Sequence, residues 1–191
     1  MGNSKDCINL DLTRKAKIKI DLNGKVLYVN NYFSEVTGFK IHEIILKELE
    51  DLLHSDMPKM AKRKVLSLGK ENRVNYFIFK GKTADNNCYW SFVKMTQEFN
   101  EYSELKGYLL EIKMLPIGTI EKINKLYDIL REIENNAGID AANKYLEGYL
   151  EEKNYSFNDF ILALTEVDAK KIEKYFEIDE DAQPKKKKGW F

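Results

Sequence analysis

The sequence predicts an α+β fold: a five-stranded antiparallel sheet with helices on one face, followed by a C-terminal helical extension. Three observations predict it. Two strand patterns open the chain, three more follow a helical middle, and no strand pair needs a parallel crossover except across that middle. Past Pro116 the apolar residues recur only at helical spacing.

The first element is the hairpin in "KAKIKIDLNGKVLYVN". Ile18, Ile20 and Leu22 alternate with Lys17, Lys19 and Asp21, which places one face toward a core. Asn23-Gly24 is read as a type I′ turn, because both residues tolerate positive φ. In "NNYFSEVTGF", Tyr32, Phe33, Val36 and Phe39 follow helical spacing, and Gly38 suits the left-handed stop. Helical pattern runs on through 41–53, breaks at "HSDMP" and resumes from Met57 to about Leu68. Pro58 fits a first helical position, with Ser55 or Asp56 as the cap. "RVNYFIFKG", "CYWSFVKMT" and "GYLLEIKML" then read as strands, rich in aromatic and β-branched residues or alternating, with "TADNN" as a turn.

After Pro116, Ile117, Ile120, Ile123, Tyr127 and Leu130 mark one helical face, and Gly138 is the stop. A second helix covers 139–152 with Ala142, Tyr145, Leu146 and Tyr149. A third starts at Ser156, whose capping box closes with Asp159, and carries Phe160, Leu164 and Val167 on one face. A short helix from Asp168 to Phe176 precedes "EIDEDAQPKKKKGWF", which cannot build a core. The organisation is therefore an N-terminal segment (1–14), a sensor-sized domain (15–115), a helical extension (116–178) and a flexible tail (179–191).

Composition limits the function. Thirty-one basic and 31 acidic residues give a formal net charge of zero, so no global field draws nucleic acid. Cys7 and Cys88 lie far apart and form no CxxC pair. They read as two separate thiols suited to a reducing compartment, neither a disulfide scaffold nor a zinc site. No apolar run approaches the ~20 residues of a membrane span, and "MGNSKDC" lacks the apolar stretch of a signal peptide. The expectation is a cytoplasmic protein with at most peripheral membrane contact, such as attraction of the four tail lysines to anionic lipid. No catalytic motif, phosphate-binding glycine loop or metal-ligand cluster occurs, so the chain is read as no enzyme.

"HSDMP" is the segment with the most chemistry. His54 and Asp56 lie two residues apart at a helix start. They form either a capped turn or the rim of a ligand pocket. His42 reads as a solvated helix residue, and Trp90 as a strand aromatic that serves a core or a ligand.

The hairpin running into "YVNNYFSEVTGF", with Asn30, Phe33 and Gly38, then "HSDMP", Tyr89-Trp90 and "GYLLEI", resembles a PAS domain over roughly residues 15–115. Within that family it looks like the bacterial aerotaxis and energy-taxis group (Aer-like), in particular soluble single-PAS proteins of the CetB type. Leu126-Tyr127 resembles that group's trailing helix. The resemblance implies a PAS fold and FAD in the pocket, with His54, Asp56, Trp90 and Asn30 as cofactor-binding residues. It implies a redox or energy sensor for chemotaxis that signals in trans to a membrane-bound methyl-accepting transducer; homodimerisation is left open. Two positions depart from the group: its Arg before the His is Leu53, and an Asn nine residues before the Trp is Gly81. Both changes remove polar groups that orient a buried ligand. Alternatives are a cofactor-free PAS interaction module and a haem-based oxygen sensor with His54 or His42 as axial ligand.

Overall fold

The computed structural model of the chain describes residues 7–11, 14–116, 118–167 and 171–177. The expected tail, residues 179–191, and the start of the last helix at Asp168 lie outside the described residues.

Alternating apolar residues form β1 (Ala16–Asp21) and β2 (Val26–Val29). The turn between them is not type I′. Only Gly24 has positive φ (93°), because the Asp21 carboxylate accepts from the Asn23 and Lys25 amides and holds Asn23 on the negative side. Helix α1 (Asn31–Thr37) ends on Gly38 at φ 76°, as its pattern predicts.

The helix expected over 41–53 is interrupted. Only α2 (Ile41–Ile44) and a 3₁₀ turn (Leu49–Leu52) form. Leu46 between them takes φ 69°, a conformation no right-handed helix continues through. The backbone there pairs with β2 instead: the Leu46 amide donates to the Val26 carbonyl and the Val26 amide to the Lys47 carbonyl, each at 2.8 Å.

Helix α3 (Lys59–Glu71) leads to β3 (Val74–Lys82), β4 (Cys88–Phe99) and β5 (Leu105–Met114). The sheet is antiparallel in the order β2-β1-β5-β4-β3.

Directly opposed residues share a face of the sheet, and neighbours along a strand alternate. Register therefore puts Ile18, Ile20, Phe77, Phe79, Val93, Met95, Leu110 and Ile112 on one inner face. There they join Phe33, Ile44, Met60 and Val65 from the helical middle in a single core. Each such buried side chain contributes about 1.5–3 kcal/mol relative to exposure.

The outer face carries Tyr76, Ile78, Lys80, Trp90, Phe92, Lys94 and Lys113. It is met by the extension: α4 (Thr119–Ala137), α5 (Ile139–Lys153), α6 (Phe157–Thr165) and α7 (Ile172–Phe176). Phe176 of α7 packs on Phe92 (5.3 Å between ring centres) and on Tyr76 (6.5 Å). Helix α5 lies beside α3 on the other side, where Lys64 donates to Asn143 at 3.1 Å. The extension thus wraps the free edge of β3. Four groups of that edge are met: Asn158 of α6 donates to the Val74 carbonyl and accepts from the Tyr76 amide. The Tyr127 hydroxyl of α4 donates to the Ile78 carbonyl at 2.6 Å, and the His54 amide donates to the Lys80 carbonyl at 2.7 Å.

The expectation of two separate thiols is corrected. Cys7 and Cys88 form a disulfide across 81 residues of sequence, because Cys88 opens β4 beside the N-terminal segment, where the Ile8 amide also donates to the Cys88 carbonyl at 2.8 Å.

Candidate functional site

The "HSDMP" segment lies where β3, α3 and α4 converge. Leu53 bridges to Gly81 across the β3 edge, which fixes the loop on the strand. Asp56 then comes within 3.1 Å of the Lys80 ammonium and 3.3 Å of the Arg131 guanidinium. Lys80 is almost fully buried, and its ammonium sits 5.5 Å from the centre of the Trp90 ring. Trp90 in turn packs on Tyr127 of α4, 5.8 Å between ring centres. One carboxylate therefore joins the strand to the helix behind it.

Neither Ser55 nor Asp56 caps α3, contrary to expectation. Pro58 is the residue before the helix and makes no side-chain cap. The cap comes from α4: the Glu134 carboxylate accepts from the Lys59 amide at 3.0 Å and the Met60 amide at 2.7 Å. Asp56 is diverted by its two cations. A carboxylate at a helix N-terminus is also favoured by the helix dipole, so α4 is held to α3 by charge as well as by hydrogen bonds.

The electrostatics keep His54 neutral and Asp56 ionised. His54 Nδ1 accepts from the Asp56 amide at 3.2 Å, which leaves the proton on Nε2. Burial lowers the His54 pKa; Asp56 opposes this, and Lys80, Lys82 and Lys62 add to it. Burial alone would raise the Asp56 pKa, but the hydrogen bond from Lys80 and the charges of Lys80, His54 and Arg131 bring it below the usual carboxylate value.

The four residues expected to hold FAD do not line one space. His54 and Asp56 sit together at the β3 edge. Trp90, expected to face the ligand from the sheet, is opposite Lys80 in the register and so lies on the outer face under α4. Asn30 caps α1: its side-chain oxygen accepts from the Phe33 and Lys17 amides and its amide group donates to the Lys15 carbonyl. That places it beside β1, with β5 between it and β4. His42 is exposed on α2. Among the described residues, no three His, Cys, Asp or Glu side chains are grouped to hold a metal ion, and no helix is long and apolar enough to cross a membrane.

The two departures from the aerotaxis group turn out to be neighbours. Leu53, buried, bridges to Gly81, and the ring of buried Tyr89 covers Gly81 so closely that a Cβ there would lie 2.4 Å from it. Positions where that group carries Arg and Asn hold an apolar plug.

Sequence reasoning missed Lys80, Arg131 and Glu134, and read Tyr127 only as part of a helix face. Two of the missed residues carried a signal: Arg131 and Glu134 follow Tyr127 at i+4 and i+7, one face of a helix.

A profile of the PAS domain family matches residues 16–113. No curated protein matched the sequence. Among solved structures, a PAS domain from Colwellia psychrerythraea is similar at 15% identity, covering 55% of this chain and 89% of that one, with a TM-score of 0.49. A PAS domain of a two-component sensor histidine kinase gives 12% identity, 52% and 83% coverage and 0.44. The PAS-B domain of Drosophila melanogaster Cycle, a tryptophan-to-alanine variant with bound glycerol, gives 15%, 51% and 97%, and 0.47.

Proposed function

The chain belongs to the PAS domain family, and from that premise we propose that it is a signal-transduction module that works by protein contact, with no catalytic step of its own. One observation carries this reading: the HSDMP loop is tied to α4 through Asp56–Arg131 and through Glu134 on the α3 N-terminus. A change at the β3 edge is thereby coupled to the helical extension. A partner that binds one arrangement of α4 better than another shifts the balance between them, and only that difference in affinity does work.

The apolar plug of Leu53, Gly81 and Tyr89 supports a module that operates without FAD. A second reading is the aerotaxis-type sensor: FAD in a cytoplasmic protein that reports to a membrane-bound chemotaxis transducer. What favours it is the adjacent His54–Asp56 pair, the part of the motif that is kept.

The test is a visible spectrum of the purified chain before and after incubation with FAD, paired with affinity capture by the wild type and by Arg131→Ala. The expected result is a colourless protein whose captured partner is lost or weakened in the variant. Flavin bands with FAD released on denaturation would overturn the cofactor-free reading, and a Soret band would point to haem. Equal capture by both proteins would overturn the role of α4.

A further inference from the structure

A cleft of about 580 Å³ opens on the outer face of the sheet, where the N-terminal segment and the start of α4 flank β4. Its floor is closed: Lys80 lies over the Trp90 ring, and that ring packs on Tyr127. Its walls are apolar, with Leu115 and Ile120 on the helix side and Ile8 and Leu10 from the N-terminal segment. Ile8 and Ile120 are each 39% exposed. The Ile8 wall is held in place by the Cys7–Cys88 disulfide and by the Ile8 amide on the Cys88 carbonyl. A preformed apolar recess of this kind is the usual form of a binding site.

We propose that the occupant of this cleft is the chain's own segment 178–191, seated between the walls through Trp190 and Phe191. Past Ile178 the segment, "IDEDAQPKKKKGWF", carries no other large apolar residue, so these two rings are its means of burying apolar surface. The chain also leaves α7 beside the cleft. The Tyr175 hydroxyl donates to the carbonyl of Met114, a residue that lines the cleft, and the Lys113 ammonium donates to the Tyr175 carbonyl. Phe176 packs on Phe92, which lies two residues from Trp90 on the same face of β4, about 7 Å along the strand. Fourteen residues follow Glu177, and an extended chain of that length spans about 45 Å. The rings therefore reach the cleft with chain to spare.

Tethering favours this occupant over one arriving from solution. A linker of this length holds the rings near the cleft at an effective concentration of about 1 mM. An anchor that binds in trans with a Kd of about 0.1 mM then fills the cleft in about nine chains of ten, whereas a second copy at micromolar concentration leaves it nearly empty. The four lysines before Gly189 keep their hydration outside, since apolar walls offer an ammonium no partner. Only the two rings enter.

Docking of the segment stands apart from the partner-contact reading, because it is measured on the isolated chain. The full chain labelled with fluorotryptophan gives two fluorine resonances, and Trp190→Phe assigns one of them. The reference is a free peptide of residues 184–191 carrying the same label. We expect the Trp190 resonance to be displaced from that of the peptide, with its relaxation by a soluble gadolinium chelate reduced about threefold or more. Ile120→Glu, in the wall, is expected to return both to the peptide values. Circular dichroism shows whether that variant is folded, and Ile8→Glu serves if it is not. Peptide-like values in the wild type would overturn the docking. Shielding that survives the wall substitution in a folded protein would remove the segment from this cleft. Shielding that fades on dilution would give the seat to a second copy and overturn closure within one chain.

Discussion

Glu134→Ala should detach the extension from α3, and its cost can be worked out from the geometry. The carboxylate accepts from two α3 amides, and the helix has no side-chain cap of its own. Losing a cap costs about 0.5–2 kcal/mol, and the loss of the anion at the helix N-terminus adds about 0.3–1 kcal/mol. The Lys59 amide is exposed enough to be rehydrated, while Met60 is buried, so the full penalty of an unmet donor applies to one amide only. The sum is about 2 kcal/mol, which for a chain of this length lowers Tm by about 4–8 °C. Glu134→Gln keeps an acceptor oxygen but no charge and should lose about half of that. Urea unfolding at unchanged m-value gives the stability, and hydrogen exchange at Lys59 and Met60 locates it. A loss below about 0.5 kcal/mol with both amides still protected would refute the cap.

Acidification should destabilise the fold through two groups of the same sign. His54 is held neutral by the fold below its ordinary 6.5, so the stability tied to it is complete above that value and fades as pH falls through the lower folded pKa. Asp56 repeats the pattern below its ordinary 3.8; a His54 resonance that titrates at or above 6.5 by NMR would contradict the first part. Gly81→Asn, which restores the aerotaxis-group residue, should cost about 2 kcal/mol because Tyr89 must move, and a variant as stable as the parent would show that the plug is loose. Reduction of Cys7–Cys88 should lower stability by about 4.5 kcal/mol, as expected for a bridge that closes a long loop; an unchanged thermal midpoint in dithiothreitol would show that the bridge constrains little.

The strands were legible because alternation is local: Ile18, Ile20, Leu110 and Ile112 declare their face within a few residues. Gly38 and the Ser156 cap on the Asp159 amide were legible for the same reason, each being a cap read from adjacent positions, although no reciprocal bond from the Ser156 amide completes the expected box. What the sequence hid is assembled from distant segments. Asp56, Lys80 and Arg131 come from a loop, a strand and a helix, and nothing in their spacing brings them together. Ser55 and Asp56 looked like the cap of α3 because caps are usually local; here two cations claim Asp56, and Glu134, more than seventy residues on, takes its place. The disulfide was invisible for the same reason, since pairing follows the fold and not the spacing. Leu46 broke a helix its neighbours favour because the β2 edge offered its amide a partner.

The covered edge of β3 bears on how the molecule unfolds. A sheet edge left bare pairs with other chains, yet Asn158, Tyr127 and His54 answer four of its outward groups between Val74 and Lys80. Two of those three belong to the extension, so a fragment stopped near residue 115 would present an open strand and the uncovered Tyr76–Phe92 surface. Such a fragment is expected to self-associate. The whole chain should melt in one cooperative transition, with strand and extension lost together.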